Sequence, residues 1–185
     1  WIRFCQAFAV GNAEEAQKQF TAFLRKTISI RDTYVKAAKK ENFYHGILLG
    51  LLSYRDDWIV KSNVESGDGY SDIVIKIPDD EIGIIIEVKY GEDADMDKGC
   101  ADALAQIERM NYSAILEDDE VQTIYKYGVA CYKKRCRIVK AWGSIQRDLS
   151  SHYNQKPKEA DWQICQLWLK TSTPRRSPRH WERIH

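Results

Sequence analysis

The sequence carries no excess charge of either sign: 28 Lys and Arg stand against 27 Asp and Glu, for a formal net charge of +1. That balance excludes a strong general attraction to nucleic acid and leaves room only for a local or borrowed grip. Paired cysteines are missing too. Cys5, Cys100, Cys131, Cys136 and Cys165 are odd in number and scattered, with no C-x-x-C, which argues for reduced thiols and a cytoplasmic setting. The four histidines do not cluster near them, which speaks against a zinc site. No apolar run is long enough to span a membrane, and no basic start followed by an apolar centre marks a signal peptide. The Gly67-Asp68-Gly69 loop is followed by neither Lys-Ser nor Lys-Thr nor a helix, so it is not a phosphate-binding loop of the GxxxxGK[ST] kind.

What remains is ordinary. At 185 residues, 44% hydrophobic and 30% charged, the chain suits one soluble globular domain with extensions. It starts at Trp1 rather than Met, which reads as an excerpt of a longer protein.

The informative stretch is residues 62–90, SNVESGDGYSDIVIKIPDDEIGIIIEVKY. Two apolar strands flank Pro78-Asp79-Asp80-Glu81. A four-residue loop there sets Ile77 against Ile82, Ile75 against Ile84, Ile73 against Ile86 and Asp72 against Glu87. One face of the hairpin is then apolar, while Asp72, Glu87 and Lys89 share the other, because side chains alternate with a period of two. A slip of one residue would set Ile73 against Glu87 and scatter charge through the apolar face. Two carboxylates and one lysine on a half-buried surface form either a structural ion pair or a site. Lys89 can neutralise one acid, leaving the second to crowd its neighbour unless a hard cation such as Mg²⁺ relieves it.

The rest of the chain supplies context. Residues 1–30 predict two helices broken at Gly11-Asn12, with Asn12 as N-cap and Glu14 and Glu15 in the first turn. They read as a packing or connecting segment. A longer helix is predicted from Asp32 to about Tyr54, with Glu41 and His45 inside its apolar stripe. His45 reads as structural. A strand from Trp58 to Val64 follows, then the Gly-bearing turn, whose Glu65 and Asp68 read as solvated residues. After the hairpin, residues 97–118 predict a second helix with Leu104, Ile107, Met110, Ala114 and Ile115 on its core face and Gln106 at the edge. VQTIYKYGVACY and RCRIVKAWG alternate as strands around a Lys133-Lys134 turn. Beyond Gly143 the pattern fades into a basic tail rich in Pro, Ser and Arg, which either touches phosphates or is a solvated terminus.

Asp72, about fifteen residues, then Glu87-Val88-Lys89, within the order helix, three strands, helix, strand, resembles the PD-(D/E)XK nuclease superfamily. The ordered set ENFYHGILLGLLS, SNVESGDGYSDIVI, IIIEVK and ALAQIERMNY is similar to one family within it, nuclease-like domains that follow an AAA-ATPase-like domain in bacterial proteins. Two departures stand out: Ser71 replaces the name-giving proline, and Tyr70 stands near where relatives often carry arginine. The resemblance implies an α/β, restriction-endonuclease-like αβββαβ core with a central mixed sheet flanked by helices. The domain reading is a helical segment at 1–32, the core at 33–145 and an extension at 146–185.

The resemblance also implies hydrolysis of nucleic-acid phosphodiesters, DNA before RNA, assisted by Mg²⁺ or Mn²⁺. Asp72, Glu87, the Val88 carbonyl and Glu41 are the implied metal ligands. Lys89 is the implied orienting and charge-offsetting residue, with Gln106 positioning Lys89 or the nucleophile unless it is an ordinary boundary residue. The alternative is a catalytically silent nuclease-like module that binds or regulates an upstream AAA-ATPase-like domain. The acidic run Glu92–Asp97 favours that alternative, and the intact acids and lysine favour the enzyme.

Overall fold

The computed structural model describes residues 1–33, 37–66, 69–91, 94–113, 116, 121–141 and 145–146. They belong to one compact unit, Trp1–Arg147. The basic tail lies outside the described residues.

Two helices open the chain, α1 (Ile2–Ala9) and α2 (Ala13–Thr27). A Schellman motif joins them: Gly11, at φ 74°, donates to Phe8 O, and Asn12 donates to Ala7 O at 2.8 Å. Asn12 also caps α2, its side chain accepting from Glu15 N. Phe4, Phe8, Phe20 and Leu24 from these helices are buried in the main core. The N-terminal segment is therefore part of the domain's packing.

A 3-10 turn at Ile30–Thr33 precedes α3 (Ala37–Leu52). The long helix predicted from Asp32 thus starts later, after Asp32 Oδ2 has accepted from Ser29 N in that turn. Strands β1 (Ile59–Ser66), β2 (Gly69–Ile77) and β3 (Ile82–Tyr90) follow as antiparallel neighbours. Then come α4 (Met96–Arg109), β4 (Thr123–Tyr132), β5 (Arg135–Lys140) and the short β6 (Ile145–Gln146). The main sheet order is β1-β2-β3-β4-β5, with β6 paired to β4. Only β3 and β4 run parallel among these neighbours, so the chain needs a crossover between them, and α4 provides it.

The period of two divides the hairpin between two cores. Ile73, Ile75, Ile84, Ile86 and Val88 join the core shared with the first three helices, whereas Val74 and Ile85 join Ile107, Tyr112 and Leu116 on the α4 side. Helix α4 settles onto β4 at Gly128, where a Cβ would lie 2.4 Å from the Cys100 carbonyl oxygen. Its first turn is capped by Asp95, whose side chain accepts from Lys98 N.

The structure ends α4 well before the predicted limit near residue 118. Asn111 takes φ 50°, and Tyr112 N donates to Ile107 O while Asn111 N donates to Glu108 O. This is a second Schellman stop, with asparagine in the left-handed position and Tyr112 packing in the same core as Ile107. Cys5, Cys100, Cys131 and Cys136 are buried free thiols; Cys165 lies outside the described residues. Among the described residues, no helix is long and apolar enough to cross a membrane.

Candidate active site

The β2–β3 ladder runs from Ile77↔Ile82 to Ile73↔Ile86, the register set by the isoleucines, and stops there. Asp72 and Glu87 are the next residues outward. At this point a side chain replaces the backbone ladder, because Val88 N donates to Asp72 Oδ2 at 2.8 Å. On the opposite side the β1–β2 ladder skips a pair: Ser62↔Ile73 and Val64↔Ser71 match, but Asn63, opposite Asp72, sits at φ 50°. The Asp72 carbonyl lies 3.0 Å from His45 Nε2, which also lies 3.2 Å from Ser62 Oγ. Asp72 therefore stands at a gap in the sheet, held by side-chain contacts where its neighbours have ladder bonds.

Glu87 is 2% exposed and pairs through Oε1 with Lys89 Nζ at 3.0 Å. Its other oxygen, Oε2, is buried without a hydrogen-bond partner. Burial pushes the Glu87 carboxyl up to about 7; the nearby Asp72 charge adds to the rise, and Lys89 offsets part of it. For Lys89, burial pulls the ammonium down, but the charge and hydrogen bond of Glu87, then Glu41 and Asp72, outweigh it and hold the ammonium above its ordinary value. One lysine thus serves three acids. The carboxylate set stays under-neutralised.

Glu41, on α3, reaches the same strand from the other side, with Oε1 accepting from Tyr90 N at 3.2 Å. Glu41, Lys89 and Tyr90 line a cavity of about 230 Å³ together with Asp95, Lys98 and Asp102 from the start of α4. Asp72 and Glu87 do not line it. Gln106 donates from Nε2 to the Tyr112 hydroxyl at 3.2 Å.

The donor set suits a hard cation. Asp72 and Glu87 offer carboxylate oxygens, one of them buried and unpartnered, and the Val88 carbonyl lies between Glu87 and Lys89 in the chain. Among the described residues, no three His, Cys, Asp or Glu side chains converge on one point. Two carboxylates and a carbonyl nevertheless match the preference of Mg²⁺ for a few protein oxygens and several waters. A soft or tetrahedral ion has no ligands here, because the described thiols are buried elsewhere and His45 is engaged with the backbone of Asp72.

Sequence reasoning did not foresee the contact of His45 with the Asp72 carbonyl, or the use of the Tyr90 amide by Glu41. It also missed Lys126, buried on the α4 side of β4 with Nζ bonded to both Glu108 oxygens at 2.9 and 3.0 Å. The polar alternation along β4 gave the only hint of Lys126, and it pointed to the surface. No curated protein matches the chain. The sequence pattern of the PD-(D/E)XK nuclease superfamily matches residues 39–141, which span α3 through β5 and contain each of these acids and Lys89, and the chain belongs to that superfamily.

Proposed function

We propose that the chain carries a metal-dependent nuclease domain that hydrolyses phosphodiester bonds of nucleic acid, DNA before RNA. The observation that supports this most is the buried, unpartnered Glu87 Oε2 beside a second carboxylate, since an orphaned acidic oxygen is costly in a purely structural role. Asp72, Glu87 and the Val88 carbonyl would hold Mg²⁺ or Mn²⁺, and Glu41, which spends one oxygen on the Tyr90 amide, would offer the other to a second ion or a water. A divalent cation in such a set supplies Lewis-acid polarisation of a phosphoryl oxygen and acidifies a water.

The chain's own groups carry the remaining roles. Lys89, held cationic by three acids, offsets negative charge as it builds on the phosphoryl group and orients the attacking water. Asp72, fixed by the Val88 amide, keeps its carboxylate from turning away from Glu87. Gln106 lies on α4 and is proposed as a positioning residue.

A second reading, a silent module that regulates an upstream AAA-ATPase-like domain, draws support from Asp95 and Asp102 in the cavity wall, which would repel a phosphate backbone. Calorimetric titration of Mg²⁺ and Mn²⁺ into the chain and into Asp72→Ala, followed by incubation with plasmid and single-stranded DNA, separates the two. Binding and cleavage that vanish together in the variant support the nuclease. Absence of binding at millimolar metal overturns it and leaves the regulatory module.

A further inference from the structure

The carboxyl ends of β3 and β4 carry a row of tyrosines that the hydrolytic chemistry does not use. Tyr44, fully buried on α3, stacks on Tyr90 with ring centroids 6.3 Å apart and planes at 21°. Tyr90 in turn lies 5.7 Å from Tyr132. Two ammonium groups rest on this row: Lys40 Nζ sits 4.3 Å from the Tyr90 ring centre, and Lys133 Nζ sits 5.0 Å from that of Tyr132. Neither lysine forms an ion pair with a described carboxylate. The Tyr44 hydroxyl donates to the Lys133 carbonyl at 2.7 Å, which ties the basic turn to the buried end of the row.

The row adjoins the Lys89 and Glu41 side of the site. Tyr90 follows Lys89 directly, and both line the cavity. Tyr90 and Tyr132 are half-buried, so their rings are backed by protein yet reach the surface. Lys134 and Arg135 continue the positive charge beyond Lys133. Fixed aromatic faces interleaved with cations offer stacking for bases and neutralisation for phosphates, with little ordering cost because the row is already braced. Duplex bases are stacked on each other and hide their faces, whereas unpaired bases present them.

We infer that Tyr90 and Tyr132, with Lys40 and Lys133, form a platform that takes an unpaired base next to the scissile phosphate, so that the substrate is single-stranded nucleic acid or a strand with unpaired nucleotides. The inference rests on the nuclease reading for its biological setting, but its test does not require cleavage. The cation–π contacts of the free protein are weak enough for phosphates to replace them.

The test is fluorescence anisotropy of the full chain in EDTA. The probes are labelled oligothymidylate, oligouridylate, a duplex of equal length, and oligothymidylate bearing consecutive abasic sites. Single strands of either sugar are expected to bind more tightly than the duplex, and abasic sites to weaken binding about tenfold. Tyr132→Leu should weaken oligothymidylate binding by a similar factor and add no further loss with the abasic strand, while Tyr132→Phe keeps the wild-type Kd. Lys133→Gln should weaken all strands alike and flatten the salt dependence. Equal Kd for abasic and intact strands in the wild type, or preference for the duplex, overturns the platform without relying on any variant. Abasic-sensitive binding without metal-dependent cleavage would leave the platform standing and remove the nuclease reading. Cleavage abolished by Asp72→Ala with no abasic sensitivity would do the reverse.

Discussion

Asp72 Oδ2 accepts the Val88 amide at 2.8 Å, one residue beyond the last backbone pair of the β2–β3 ladder. The carboxylate thus does two things: it completes the hydrogen bonding of β3 where the strands part, and it places negative charge beside buried Glu87. The roles separate by substitution. Asp72→Asn keeps an acceptor for Val88 N and removes the charge, so its urea-unfolding free energy should stay within about 1 kcal/mol of wild type while metal binding and cleavage are lost. Asp72→Ala strands a part-buried amide and should cost about 1–3 kcal/mol as well. Equal destabilisation by both variants would show that the acceptor is not what the fold needs from this residue.

The second prediction concerns pH. Glu87 has its carboxyl pushed up to about 7 from a reference of 4.5. Between those values the native state holds a proton that the unfolded chain has released. The contribution to stability is therefore full below 4.5 and is lost as pH rises through 7. Lys89, raised from 10.5, contributes stability that is lost only in alkali, outside this window. In EDTA, Glu87→Gln should thus gain on the wild type by up to about 3 kcal/mol between pH 5 and pH 8. Urea unfolding of both proteins at the two pH values measures it, and parallel pH profiles would refute it.

The hairpin register was legible because six isoleucines share one face when Ile77 meets Ile82, a one-residue slip would scatter charge through that face, and the same alignment gathers Asp72, Glu87 and Lys89 on the other. The αβββαβ order followed from periodicity in the same way. Contacts that depend on distant backbone were not legible: Glu41 meets an amide 49 residues away, and nothing local to either residue records it. The early stop of α4 was different, since Asn111 did signal it. Ala114 and Ile115 continued the helical spacing and masked an asparagine suited to the left-handed cap. Glu41 itself emerged as a site residue only through resemblance, because spacing alone equally allowed a core pair with His45.

His45 gives the third prediction. Its Nε2 lies 3.0 Å from the Asp72 carbonyl, where Asn63 has left the ladder. Loss of this contact lets the Asp72 backbone shift. With Asp72 as the proposed metal ligand, His45→Ala should lower metal affinity about 10- to 100-fold, the usual effect of removing a ligand's supporting contact. His45→Gln, able to offer an N–H, should recover part of it. Calorimetry with Mn²⁺ on both variants decides this. Equal affinities for Ala and Gln at wild-type level would reduce His45 to a packing residue.

The last prediction sets one substitution at two places. At Gly128 on β4, a new Cβ would lie 2.4 Å from the Cys100 carbonyl oxygen and 3.1 Å from Leu104 Cγ. The nearer obstacle is backbone inside a helix that is hydrogen-bonded on both sides, so it cannot rotate away and α4 must lift from the sheet. Gly128→Ala should therefore cost about 1–3 kcal/mol, and because Asp95, Lys98 and Asp102 ride on α4, it should also change the cavity beside Lys89. At Gly50, itself exposed on α3, nothing lies within 4 Å of the added methyl and the backbone is helical. Gly50→Ala restricts the unfolded chain at no cost to the folded one and should stabilise by about 0.4–1 kcal/mol. Thermal unfolding of the pair reads out opposite signs: Tm falls for Gly128→Ala and rises for Gly50→Ala. Equal shifts would mean that α4 does not seat on β4 as closely as the Cys100 contact requires.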